Sequence, residues 1–530
     1  MTNGTCDYIV VGGGSAGCTI AARLSEDADA SVVLFESGPS DSSPFIHMPV
    51  TYYKTQRMLR RLQLEPLTHQ FNMTPTTGQA RVLGGGSSVN AMVYIRGCPE
   101  DYDRWEASGA DGWSYREVLP YFRKAESNES LSGEAHGTEG PLSVSDQRYT
   151  SPLTKEWLKA CQEAGLPYNT DFNSGRQAGC GLYQVTMRDG RRCSAAVAYL
   201  KPARGRANLT VLTGKPVVRI LAEKGRAVGV EYRDGRERKV LRAEREVIVS
   251  AGAIGSPRLL LLSGIGPADD LKGVGVEVKQ DLPGVGQNLQ DHTDCFLIYD
   301  LNGPYSYDKY KKLRWQAVAG LEYALFRTGP VTSNVCEGGA FWWGDSADPL
   351  PDLQYHFLAG AGVEVGVDGT PSGNGCTLNV YGCRPRSRGT VSLRSADPSV
   401  PLKIDPRYLA DPHDVEVLIE GVKKGEEIMS KPSIAKYIKA SHKPSGPLRT
   451  HADYDEYVRR ETQGALHLSG ACKMGTDPMA VVDPQLRVHG VDGLRVADSS
   501  IMPFVVSGNL NGPTIMIGER AADFIRGNRG

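Results

Sequence analysis

Tyr8-Ile9-Val10-Val11 is a β-rich apolar run that stops at Gly12-Gly13-Gly14-Ser15-Ala16-Gly17. The next stretch, Cys18 to Leu24, carries Ile20 and Leu24 four residues apart, the spacing of one helix face. Ser31-Val32-Val33-Leu34-Phe35 is a second buried-strand run with Glu36 at its end. Strand, glycine turn, helix and strand in this order predict a βαβ unit on a parallel sheet. The pattern returns at Glu246–Ser250, followed by Ala251-Gly252-Ala253-Ile254-Gly255. There Ser256 reads as an N-cap, Pro257 as the first helical residue and Gly264 as the stop. Leu494-Arg495-Val496-Ala497 predicts one more strand. A last helix is predicted from about Pro513, with Ile515, Gly518, Ala522 and Ile525 on one face.

The nucleotide-type pieces thus lie at the start, middle and end of the chain, with mixed, loop-rich sequence between them. The expected architecture is α/β, with a discontinuous Rossmann-type domain from residues 1–45, 78–100, 200–300 and 460–530. Residues 46–77, 101–199 and 301–459 are expected to form an inserted substrate domain and cover loops.

Composition narrows the classes. The 530 residues carry 60 Lys plus Arg against 61 Asp plus Glu, a net charge of −1. That balance gives no electrostatic reason to expect nucleic acid or an anionic membrane as partner. No apolar run is long enough to span a bilayer, and the segment from Met1 to Thr5 has neither the basic nor the apolar region of a secretory signal. The 11 cysteines form no C-x-x-C pair. They read as reduced, buried thiols of a cytoplasmic protein. No metal-ligand spacing occurs, so no metal is expected.

Gly12-x-Gly14-x-x-Gly17 has the spacing that a dinucleotide pyrophosphate needs. The first glycine allows a tight turn, the second lets backbone approach the phosphate, and the third lets helix and strand pack closely. The helix N-terminus, from Ser15 and Ala16 onward, adds free N–H groups and partial positive charge. Glu36, 19 residues past Gly17, is placed to accept from ribose hydroxyls. The same stretch also fits a nucleophile elbow, Gly13-x-Ser15-x-Gly17, which would make Ser15 a hydrolase nucleophile. Against that, an elbow at residue 15 leaves no room for preceding strands. Glycine spacing alone does not separate NAD from FAD.

Further motifs resemble those of the glucose–methanol–choline (GMC) oxidoreductases, over nearly the whole chain. Arg81-Val82-Leu83-Gly84-Gly85-Gly86-Ser87-Ser88-Val89-Asn90 is similar to the family's first signature, and Gly252–Arg258 running on to Gly266 to its second. Pro283–His292 resembles the loop that follows. His467 through Met474-Gly475, then Ala497-Asp498 and Asn509-Leu510-Asn511, resembles its catalytic end. Phe357–Gly362 and Arg386–Val391 carry a closer likeness to bacterial sorbose dehydrogenases and choline-dehydrogenase-like alcohol dehydrogenases.

The resemblance implies FAD, a substrate domain with a mainly antiparallel sheet and helices, and oxidation of an alcohol such as a sugar or polyol. His467 is then the base that takes the hydroxyl proton as hydride leaves for the flavin, a role an imidazole suits. Asn509 is its partner, positioning the substrate oxygen; a helix cap is the alternative role for it. The resemblance also places Arg81, Gly85, Ser87, Ala251, Asn511 and Thr514 at the cofactor, with Asn90, Ala91, Met92 and Val93 against the isoalloxazine ring. Val217 falls at the adenine, or is a plain strand valine; Asp498 falls near the ribityl chain and pyrophosphate, or is a turn cap. Phe341, Trp342 and Trp343 line a pocket or belong to a core.

Three departures matter. Val89 stands where some members carry the histidine that binds FAD covalently, so FAD is expected to be noncovalent. Ala471 replaces the usual Thr. Arg60 falls where many relatives carry Trp, in the segment before Glu65-Pro66. The final electron acceptor is oxygen, a quinone or a dye-like compound. The alternatives left open are an oxygen-using oxidase of aryl or furanic alcohols, a lyase on the same fold, and the Ser15 hydrolase.

Overall fold

The computed structural model describes residues 4–362 and 369–527. Residues 1–3, 363–368 and 528–530 of the expected domain segments lie outside the described residues. Two seven-stranded sheets organise the molecule. The first begins with β1 (Thr5–Val11), α1 (Ser15–Leu24) and β2 (Val32–Glu36). β1 lies parallel between β2 and the far half of the long strand Glu237–Val249. Leu209–Thr213 extends the parallel sheet beyond β2, and Leu494–Val496 extends it beyond Val247–Val249. The near half of Glu237–Val249 turns antiparallel, pairing with Arg226–Asp234, which pairs with Val217–Glu223. All five residues of β2 are buried, as expected of a parallel strand covered on both faces.

α1 packs against the C-terminal helix Asn511–Gly527. Arg23 Nε and Nη2 reach Glu519 across that contact at 2.9 and 2.8 Å, and Ile515, Gly518, Ala522 and Ile525 are buried on the shared side. That helix starts two residues before the predicted Pro513, because Asn511 is already helical. A second helix start also differs from the expected one. Gly252–Leu262 begins at Gly252 with Pro257 inside it, so Ser256 is not its N-cap. The Ser256 hydroxyl instead donates to Asp498 and accepts from the Ala251 N–H.

The second sheet runs in the order Ile438–Lys443, Thr293–Leu301, Gly375–Gly382, Leu353–Leu358, Gly338–Trp342, Gly179–Leu182, with all neighbours antiparallel. Alternation along these strands gives the sheet two unlike faces. Leu297, Leu353, Tyr355, Phe357, Leu378 and Val380 point to one side, where they join Leu418 and Val422 of the helix Pro412–Met429 in one core. Gln354, His356, Asn379, Tyr381 and Asp294 point to the other, with Gln354 opposite Tyr381 and His356 opposite Asn379. All five are buried polar residues. A polar sheet face sunk in the interior is the signature of a binding site rather than of packing.

The 11 cysteines are all buried and, among the described residues, none is in a disulfide. Among those residues no helix is long and apolar enough to cross a membrane, and no cluster of side chains could hold a metal ion.

Candidate active site

The glycine loop between β1 and α1 has the geometry its spacing suggests. Gly12 has φ +108°, and a Cβ there would meet Ser250 O at 2.3 Å. A Cβ on Gly17 would sit 1.9 Å from Gly12 O. At Gly14 nothing lies within 4 Å of such a Cβ, so the loop is open at the residue meant to face a phosphate. Gly14 supplies no side-chain cap to α1, which leaves the first N–H groups of the helix without partners within it. Above them Asn511 accepts from Ser15 Oγ at 2.8 Å, while its buried Nδ2 has no hydrogen-bond partner among the described residues. A buried amide donor left unpaired beside an uncapped helix end fits an anion such as a pyrophosphate. These residues therefore fit FAD.

Glu36 closes the loop from below. Its carboxylate accepts from the N–H groups of Gly13 at 3.0 Å and Gly38 at 2.6 Å, and burial pushes its pKa up. The N–H of Lys215 donates to Glu36 O, which brings Val217 to the same end of the slot. Arg81 is exposed at this edge, near enough to favour the ionised Glu36. Gly85 packs on Gly14, its Cβ position 2.7 Å from Gly14 Cα. The Ser87 hydroxyl is committed to Gly84 O and to the N–H of Ala195, so its side chain points into the protein. Ala251 accepts from Gln79 Nε2 at 2.8 Å.

Asp498 binds the N–H of Gly252 at 2.8 Å, the Ser256 hydroxyl, and the Ser500 N–H at 2.8 Å. It thus caps the turn Ser499–Ile501 and clamps the helix Gly252–Leu262. Thr514 Oγ1 is spent on Leu510 O at 2.7 Å, the residue just before its own helix. The segment Asn90–Val93 makes a sharp turn with Met92 at φ +61°. Asn90 Oδ1 accepts from the Met92 N–H at 3.1 Å and from Arg192 Nη1 at 2.6 Å; Ala91 O accepts from Asn334 Nδ2 at 2.7 Å; Val93 bridges to Val185.

His467 and Asn509 come together beneath the polar face of the second sheet. Asn509 Nδ2 lies 3.3 Å from His467 Nε2, and Gln354 Nε2 donates to Asn509 Oδ1 at 3.2 Å. Gln354 in turn meets Tyr183 OH, which donates to Tyr355 O at 2.9 Å. On the other side, His467 Nδ1 is 3.0 Å from Nδ1 of His292. An amide NH2 only donates, so His467 Nε2 is the acceptor of this chain and its proton sits on Nδ1, donated to His292. The backbone N–H of His467 is fixed by Asp291 Oδ1 at 2.7 Å, and Tyr408 OH holds Asp291 Oδ2 at 2.6 Å. Leu466, just before His467, is held at φ +63°, a costly conformation for a leucine.

Burial dominates the electrostatics. It pushes the His467 imidazole down to about 4 and His356 to about 3; His292 also lies well below its usual value, through burial and the neighbouring His467. All three rings are therefore neutral near pH 7. Burial pushes the Asp291 carboxyl up to about 7, against the Tyr408 hydroxyl and backbone donors that pull it down. The ring of Tyr381 stands 4.6 Å from that of His356 and 6.3 Å from that of His467. A neutral imidazole with its Nε2 lone pair facing a buried, polar-roofed space can take a proton from an alcohol.

Chain-wide likenesses agree with this geometry. The GMC oxidoreductase models match residues 6–294 and 385–518. The chain belongs to the GMC oxidoreductase family. It is an FAD-dependent alcohol oxidoreductase, and its α/β architecture is the GMC fold. An oxygen-dependent choline dehydrogenase of Rhizobium etli is 43% identical over 530 residues, covering 99% of this chain and 96% of the relative. Among solved structures, the pyridoxine 4-oxidase of Mesorbium loti superposes with a TM-score of 0.90 at 31% identity, covering 99% of this chain and 100% of that one. A formate oxidase of Aspergillus oryzae superposes at 0.93 with 24% identity, over 100% of this chain and 99% of that one, a likeness of fold.

Ser15 bonds to an amide and to no imidazole, which removes the activation a hydrolase nucleophile needs. Phe341 is buried beside Phe172, ring centroids 5.4 Å apart, while Trp342 and Trp343 pack on each other at 5.4 Å. Arg60 lies exposed on the hairpin Leu59–Gln63 with Thr76–Ala80. The sequence did not single out His356, Gln354, Tyr381 or Asp294, because only the antiparallel register brings them to His467. His292 ends the Pro283–His292 motif, which by itself assigns it no role. Its place directly before a strand of nine buried residues was the available signal.

Proposed function

We propose that the protein oxidises a hydroxyl-rich alcohol, a sugar or polyol such as sorbose, to the aldehyde at a primary carbon or the ketone at a secondary one, with His467 as the base. The observation that carries the substrate class is the roof. Gln354 Oε1 has no hydrogen-bond partner among the described residues and His356 Nε2 has only a weak contact with Asn509, although both are buried. Unpaired buried polar atoms of this kind cost about 1–3 kcal/mol each. Additional hydroxyls on a substrate would satisfy them; a substrate with a single hydroxyl would not.

Bound FAD supplies the hydride acceptor. The chain's residues supply the rest. The substrate hydroxyl displaces the Asn509 amide from His467 Nε2: Asn509 Nδ2 turns its donor to the substrate oxygen, and His467 Nε2 takes the hydroxyl proton, so that the proton leaves oxygen while the hydride leaves the adjacent carbon. The resulting imidazolium keeps its Nδ1–H on His292. The roof excludes water and fixes the alcohol, and both effects lower the barrier. Val89 supports noncovalent FAD, because it offers no nucleophile to the ring. The cysteines, with no disulfide among the described residues, support a cytoplasmic setting. The electrons then pass to oxygen, a quinone or a dye-like acceptor, and comparing turnover in air with turnover on a quinone analogue separates these.

A choline-type alcohol is the second reading. The Rhizobium relative named above supports it, and so do the Asp294 carboxylate and the Tyr381 ring on the roof, which suit a quaternary ammonium. Anaerobic bleaching of the flavin by sugars, polyols, choline and aryl alcohols tests both. Fastest bleaching by a polyol or sugar is expected; fastest bleaching by choline or an aryl alcohol would overturn the substrate class. No bleaching by any alcohol would favour a lyase.

A further inference from the structure

Thirteen large hydrophobic side chains are exposed among the described residues, and six of them sit on one helix, Leu313–Phe326. Leu313 is 80% exposed, Phe326 69%, Leu325 63%, and Val318 and Leu321 60% each. Only Ala319 and Tyr323 of its fourteen residues are buried. On a helical projection Leu313, Ala317, Gly320, Leu321, Ala324, Leu325 and Val318 fill one continuous outward arc, interrupted only by Arg314. An apolar face of this size is not left in water.

The charges around it are mostly positive. Lys309, Lys311 and Lys312 precede the helix, Arg314 lies within it, and Arg327 follows. Of the nearby acids Asp308 is turned inward, while Glu322, on the helix itself, is half-exposed. Asp308 is buried, taking the N–H groups of Ala361 and Gly375 along with Lys311, and Glu322 accepts from Thr328. The net charge of −1 for the whole chain hides this local excess.

We propose that Leu313–Phe326 is a docking element that lies in the surface of an anionic lipid bilayer. An apolar helix face with lysines and arginines along its rim is what inserts between headgroups, the cations meeting lipid phosphates. At 1.5 Å per residue the fourteen-residue helix is about 21 Å long, short of the roughly 30 Å hydrocarbon core, so it lies on the membrane and does not span it. A second copy of the chain fits less well. A two-fold contact would press the patch against itself and bring Arg314 and the lysines of one protomer onto those of its partner. In lipid, Arg314 extends its stem along the apolar surface and its guanidinium to the phosphates.

The test is co-sedimentation of the FAD-loaded enzyme with vesicles of phosphatidylcholine and phosphatidylglycerol, against phosphatidylcholine alone, at low and high salt. The expected result is binding to the anionic vesicles that weakens with salt and falls roughly tenfold or more in the double variant Leu321→Glu, Leu325→Glu. Flavin absorbance and thermal midpoint check that this variant is folded. Sedimentation velocity without lipid completes the set, with a single state for both proteins expected. Failure of the wild type to bind anionic vesicles, or equal binding by the variant, would overturn the proposal. So would a dimer that the double substitution dissociates, which would assign the face to a second copy.

Discussion

Replacing His292 tests the directional hydrogen-bond chain through the site. In His292→Leu the Nδ1–H of His467 loses its acceptor at 3.0 Å, a ring that is itself fully buried. Nothing then holds the proton on Nδ1, and the imidazolium that forms on proton transfer loses a charge-assisted bond. Such a bond contributes about 1.5–3 kcal/mol. At about 1.36 kcal/mol per decade, the rate constant for flavin reduction should fall roughly 10- to 150-fold. The assay is anaerobic stopped-flow bleaching at saturating substrate, with the bound flavin counted for each variant. FAD content and KM should change little, since His292 touches neither Asn511 nor the glycine loop. His292→Asn, which restores a carbonyl acceptor, should recover much of the loss, and a merely structural role would not give that rescue. A rate constant for His292→Leu within twofold of wild type would refute the tautomer assignment.

Other outcomes follow from the same geometry. Asn511→Leu removes the unpaired buried donor above Ser15, so FAD should bind about tenfold more weakly, read as the dissociation constant of the apoprotein. Gly17→Ala would set a Cβ 1.9 Å from Gly12 O; the variant should lose FAD and at least about 1–3 kcal/mol of stability in denaturant unfolding. The His467 imidazole, held at about 4, keeps its base form well below neutrality, so flavin reduction should stay level from pH 9 to about pH 5; a fall centred on the free-imidazole value would contradict the burial argument. His136, buried between Glu126 and Asp171, is raised to about 9, so its stabilisation is full below pH 6.5 and lost as pH rises through about 9. The gap corresponds to roughly 3 kcal/mol, and His136→Gln should remove that slope from unfolding free energies measured at pH 6 and pH 9.5.

The parallel sheet was legible because its strands are short apolar runs ended by glycine turns, and local chemistry alone marks them. Helix starts were less so. Ser256 and Pro257 have the composition of an N-terminus, yet Asp498, far away in the sequence, takes the Ser256 hydroxyl and lets the helix begin at Gly252. His467 and Asn509 stand out because motif and chemistry coincide there. The roof of Gln354, His356 and Tyr381 was invisible, because each sits in an ordinary strand and becomes functional only through cross-strand register. The exposed helix left no sequence signal either: an apolar stretch such as Leu313–Phe326 does not tell by itself whether it is covered, and among the described residues its outward face is not.

The central claim is that His467 takes the hydroxyl proton during alcohol oxidation. Anaerobic flavin bleaching by the best alcohol, compared between wild type and His467→Ala with equal FAD content, tests it most directly. The expected result is a loss of roughly 100-fold or more in the rate constant of bleaching, the contribution of a positioned general base. Near-normal bleaching by His467→Ala would contradict it.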